Sequence, residues 1–80
     1  MKARVIVHLK HGVLDPQGEA VKGALGRLGY DGVAGVRIGK VVDVEIDEED
    51  EAKALEIVRK MADELLANPV IEKFDVEALP

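Results

Sequence analysis

Polar and apolar residues alternate at the start of the chain. Ala3, Val5, Val7 and Leu9 share one parity and Arg4, Ile6 and His8 the other, predicting a strand from Ala3 to Leu9 with one dry and one mixed face. The period then changes. From Pro16 to Leu28, residues Ala20, Val21, Ala24, Leu25 and Leu28 fall on one side of a helix. Gly29 can take the left-handed conformation that ends it. Tyr30 to Gly35, YDGVAG, reads as a connector. Beyond it, Val36, Ile38, Val42, Val44 and Ile46 keep one parity, with Lys40 the polar exception. Two readings fit this stretch. Gly39 and Lys40 can be the loop of a tight hairpin, or Val36 to Ile46 can be one long strand bent or bulged at Gly39.

The strongest helical pattern runs from Asp50 to Ala67. Ala52, Leu55, Val58, Ala62 and Leu65 repeat at helical spacing, and Met61 and Leu66 broaden the stripe. Acidic residues gather at its start, where they favour the helix dipole, and Glu49–Lys53 and Glu56–Lys60 are four apart in the better orientation. Asn68 and Pro69 stop it, and Val70 to Glu77 reads as a last strand with Phe74 and Val76 on one face. The order is β-α-β-β-α-β, or β-α-β-α-β if the central strand is continuous. Helices on one face of a mainly antiparallel sheet bury these stripes, so the expected fold is a single α+β domain over residues 1–80, a two-layer sandwich. Ile6, Val41 and Ile71 then lie on the opposite face, a natural surface for self-association as a dimer or higher oligomer.

Size makes that surface matter. A domain of 80 residues buries only about 60% of its unfolded surface when it folds alone. The absence of cysteine removes disulfides and thiolate sites. No apolar run is long enough to span a bilayer, and Met1 to Lys10 alternates instead of forming a signal-peptide core, so a cytoplasmic location is expected. The formal net charge is −5 and uneven: Met1 to Ile46 holds seven basic and five acidic residues, Asp47 to Pro80 four and eleven. An acidic second half and only one tyrosine and one phenylalanine argue against a nucleic-acid partner.

Candidate chemistry is sparse. His8, His11 and Asp15 form the only group resembling a catalytic or metal constellation, but their spacing fixes no common direction and matches no metal motif. Without serine, threonine or cysteine there is no hydroxyl or thiol nucleophile. GVLDPQG and GVAGVRIGK lack the spacing and lysine-serine ending of a nucleotide loop. Arg37 and Lys40, flanking Gly39, can meet a partner's carboxylate or a phosphate, or simply be solvated strand charges. The acidic run from Asp43 to Glu51 is split between a strand and a helix start, which scatters its carboxylates. At the first junction, Asp15 is placed to cap the helix opened by Pro16, and Gly12 frees the loop before it. Gly18 stands where a capping box would carry Glu or Gln, so local closure is incomplete.

HGVLDPQG at His11–Gly18, VRIGK at Val36–Lys40 and LLANPVIE at Leu65–Glu72, in that order, make the chain resemble the PurS family over essentially its full length. PurS is the small subunit of bacterial and archaeal phosphoribosylformylglycinamidine synthase. The family tends to carry an aromatic and a glutamate after its glycine-lysine pair, where this chain reads GKVVDV. The resemblance implies an accessory subunit, not catalytic alone, of a glutamine- and ATP-dependent ligase complex in purine biosynthesis. It implies dimers that join a glutaminase subunit to a synthetase subunit and support ammonia transfer. No cofactor is expected on this chain, while ATP and magnesium are expected in the synthetase partner. His11, Gly12, Asp15, Pro16, Gly18, Arg37, Gly39 and Lys40 are the candidate assembly or partner contacts. Two other functions share this element order or composition: an ACT-like small-molecule sensor, and a small independent catalyst using His8 or His11.

Overall fold

The computed structural model describes residues Met1–Pro80. Three strands and two helices occur in the order β1 (Lys2–Leu9), α1 (Pro16–Arg27), β2 (Gly39–Glu45), α2 (Glu51–Met61) and β3 (Glu72–Leu79). The strands form one antiparallel sheet in the order β2-β1-β3. The fold is therefore α+β with a β-α-β-α-β order: the central segment forms one strand, but it starts at Gly39 instead of Val36 and ends at Glu45. Gly39 opens the β1–β2 ladder opposite His8, and the register then runs regularly to Lys2 opposite Glu45. No hairpin or bulge occurs there. What the position needs is a residue without a side chain, because a Cβ on Gly39 would lie 2.6 Å from the Val7 carbonyl oxygen.

The alternation in β1 decides the core. Ala3, Val5 and Val7 are buried and join Val58, Ala62 and Ala67, with Val42, Val44, Phe74 and Val76 packed around them. The opposite face of the sheet is open. On it Ile6 stands between Val41 and Asp75, and Arg4 between Asp43 and Glu77. Asp50 caps α2 by accepting the Lys53 N–H at 3.1 Å. Glu49–Lys53 and Glu56–Lys60 do not close, and Arg4–Asp43 is the only ion pair between side chains.

The helical stripe of α2 changes partway. Residues Ala62–Leu66 continue α2 as a π-helical turn, with the Ala67 N–H donating back to the Ala62 carbonyl at 2.8 Å. The wider turn rotates the side chains beyond it out of the helical register. Leu65, expected in the stripe, is 83% exposed, and Leu66 and Ala67 take the inward positions instead. Ala52 is exposed as well, and Ala54 is the buried residue of the first turn. After the helix the Asn68 carbonyl accepts the Ile71 and Glu72 N–H groups. That turn absorbs Val70 and Ile71, so β3 starts at Glu72 and extends past the expected end to Leu79.

Only α2 covers the sheet, resting on β1 and β3. The expected three-stranded antiparallel sheet and two helices are present. α1 and the extended segment 33–38 project beyond the sheet, and of α1 only Gly18 is buried. The outline is correspondingly elongated, with extents of 49 × 28 × 14 Å and a radius of gyration of 16.0 Å, against about 12 Å for a compact domain of this length. No helix is long and apolar enough to cross a membrane.

Candidate assembly site

All eight candidate contact residues gather where β1 ends. The chain leaves β1 through a turn in which the Val13 N–H donates to the Lys10 carbonyl at 3.1 Å, and Gly12, at φ +86°, holds the third position. A positive φ there marks a type II turn, which explains the glycine. Arg37 fastens this turn from outside. Its Nη1 donates to the Val13 carbonyl at 2.7 Å and its Nη2 to the Lys10 carbonyl at 3.2 Å. Lys10 in turn joins this turn to the one that leads into β3, its N–H donating to the Ile71 carbonyl and its Nζ to the Pro69 carbonyl.

Asp15 holds the next layer. Its Oδ1 accepts the Gly18 N–H at 2.8 Å, the expected cap, and Pro16 occupies the first helical position. Its Oδ2 accepts the Ile38 N–H at 2.6 Å. One carboxylate therefore ties the start of α1 to the segment leading into β2. Asp15 is 4% exposed, yet its carboxyl is held below the ordinary aspartate value of 3.8. The Ile38 N–H contributes most, then the Gly18 N–H, against an opposing effect of burial. Gly18 completes the fit, since a Cβ there would lie 2.2 Å from the Val36 carbonyl oxygen. The missing capping box is replaced by this tertiary seat.

Two concavities flank the junction. One, of about 440 Å³, is lined by His8, Leu9, His11, Gly12, Arg37 and Lys73. The other, also about 440 Å³, includes Leu14, Pro16, Gln17, Lys40 and Ile71. His8 and His11 thus meet at one pocket, while Asp15 is engaged elsewhere, so the three do not form a constellation. No group of three or more histidine, aspartate or glutamate side chains is placed to hold a metal ion. Lys10, Ile38 and Lys73 belong to this end of the molecule and were not singled out from sequence. Only the register that sets Lys73 opposite His8 brings it here.

Four of the ten exposed large apolar residues lie on α1 and its flanks, the others on β2, on α2 and its π-turn, and in the turn before β3. Leu14 and Leu28 are 73% and 74% exposed, and Val21 and Tyr30 are exposed as well. Over residues 2–80 the sequence matches the family described as PurS: Phosphoribosylformylglycinamidine (FGAM) synthase. The chain belongs to the PurS family. The PurS subunit of Synechocystis sp. is 49% identical over 78 residues, covering 95% of this chain and 78% of that protein. The solved structure of Bacillus subtilis PurS superposes with a TM-score of 0.84 at 45% identity, covering 95% of this chain and 94% of that one. A chain in the structure of PurLQS from Thermotoga maritima gives 0.87 at 37% identity, with 98% and 95% covered. PurS is a subunit of FGAM synthase in purine biosynthesis.

Proposed function

We propose that this chain is a non-catalytic connecting subunit of phosphoribosylformylglycinamidine synthase, joining a glutaminase subunit to an ATP-dependent synthetase subunit and supporting ammonia transfer between them. The observation that carries the reading is the projection of α1 and segment 33–38, with apolar side chains that nothing in the chain covers. Surface of this kind in a small domain is stabilised by a second copy or a partner subunit. The absence of serine, threonine and cysteine agrees with a role in which chemistry belongs to the partners. ATP and magnesium belong to the synthetase, and the assembly works in the cytoplasm.

The bracket at Asp15 suits the task. It makes α1 and the lead-in to β2 one unit, and Arg37 joins the turn Lys10–Val13 to that unit. A partner seated on the projection therefore presses on the central strand without bending a loose loop. His11 and Lys40 are exposed and make no side-chain hydrogen bond within the chain, leaving them for contacts across the assembly.

Reconstitution tests the reading. Glutaminase and synthetase subunits are mixed with and without this chain, complex mass is recorded, and glutamine-dependent formation of the amidine product is assayed. The expected result is a three-component complex whose coupled activity depends on the chain. Failure of the three to associate, with coupled activity unchanged, refutes it.

A further inference from the structure

The pocket of about 440 Å³ beside the turn Lys10–Val13 is lined by His8, Leu9, His11, Gly12, Arg37 and Lys73. Four of these residues carry basic groups and none an acidic one, in a chain of formal net charge −5. His8 and Lys73 are direct partners in the β1–β3 register. Their side chains leave the same face from Cβ atoms about 4.5–5.5 Å apart. Asp75, on that face one row away opposite Ile6, does not line the pocket, and the single ion pair of the structure joins Arg4 to Asp43. Arg37 is anchored through two backbone carbonyls and makes no hydrogen bond to a carboxylate, although its charge also acts on the nearby Asp15 carboxyl. A guanidinium has five N–H donors. Its charge and remaining donors stay beside the pocket.

We infer that this pocket binds the phosphate group of a phosphorylated small molecule. A phosphate monoester brings three oxygens and about −1.5 to −2 charge, enough to engage Lys73, Arg37 and the two imidazoles together. A lone carboxylate brings one charge and leaves the facing cations largely unrelieved. The volume suits a compact ligand. Leu9 offers an apolar wall for its carbon skeleton, and a Cβ on Gly12 would meet nothing within 4 Å, so the mouth is open. The inference concerns the chain by itself and does not rest on the proposed assembly.

The experiment uses the full chain labelled with nitrogen-15, at a pH of about 7, where a phosphate monoester carries about −1.5 to −2 charge. Sodium phosphate, sodium acetate and sodium chloride are titrated at matched ionic strength, followed by glycerol 3-phosphate against glycerol. Phosphate and glycerol 3-phosphate should give saturable shifts at His8, Gly12, Arg37 and Lys73. Acetate should bind about tenfold more weakly or worse, and chloride and glycerol should not saturate, the phosphate charge deciding the order. Lys73→Glu should weaken phosphate by about tenfold or more, as a cation is reversed, and His8→Gln by roughly threefold, as an imidazole donor is removed. Should Lys73→Glu fail to fold, His8→Gln carries the comparison. The inference is overturned if phosphate acts no differently from chloride, if acetate binds as tightly as phosphate, or if the folded variants bind phosphate like the parent.

Discussion

Replacing Gly18 by alanine sets two effects of opposite sign against each other. Alanine is favoured over glycine in a helix by about 1 kcal/mol. The new Cβ, however, would lie 2.2 Å from the Val36 carbonyl oxygen and 2.9 Å from Oδ2 of Asp15. Ordinary contact begins near 3.4 Å, so the first turn of α1 and segment 36–38 must separate by roughly 1 Å. Forcing a methyl into a filled site costs about 1–3 kcal/mol. The opposing atom is backbone and cannot rotate away, which places this change near the upper end and leaves a net destabilisation of about 2 kcal/mol. Gly26 is the control on the same helix. Nothing lies within 4 Å of its Cβ position, so Gly26→Ala feels helix propensity alone and should stabilise by about 0.5–1 kcal/mol. Thermal unfolding at fixed protein concentration reads both, with roughly 4–8 °C expected per kcal/mol in a domain of this size. A Gly18→Ala protein at or above the parent midpoint would refute the seating of α1 on segment 36–38.

Acid should loosen the same junction. The Asp15 carboxyl is held below 3.8, so its contribution is present above that value and is lost as pH falls through the lower folded value; Asp15→Asn should flatten the stability profile in that window, read by denaturant titration. Val58 is fully buried in a core of few residues, and Val58→Ala should destabilise by about 2 kcal/mol through lost apolar burial and a residual cavity, seen as a lower urea midpoint with unchanged slope. Arg37→Ala should free the turn Lys10–Val13. Faster amide exchange at Val13, with β1 core amides unaffected, is the expected sign, and an unchanged Val13 rate refutes the clamp.

Local rules carried the sequence far. Alternation located β1 and its buried parity, and Asp15, Pro16 and Asp50 marked helix starts from chemistry contained within three residues. The failures have a common cause in contacts between distant residues. IGKV has the composition of a hairpin, but Gly39 is fixed by the Val7 carbonyl on another strand. The apolar side of α1 is real in the sequence but largely uncovered in the fold, with Val21 and Leu28 exposed and Ala24 and Leu25 only half-buried. Leu65 failed because a π-turn breaks the period that assigned it. At the candidate site the Asp15 cap was legible, whereas its second partner, Ile38, is 23 residues away and Lys73 arrives only through strand register.

The central place of β1 bears on how the chain reaches its fold. Every partner of that strand is remote, from His8 with Gly39 to Lys2 with Leu79. Few nearby contacts reward early pairing, so folding should be slow for the chain's length despite the two helices. Until β3 arrives, one hydrogen-bonding edge of the strand bearing Val5 and Val7 stays unpaired and open to the strands of other chains. Misassembly is then a race between intramolecular closure and encounter, and dilution during refolding should raise the yield of native protein.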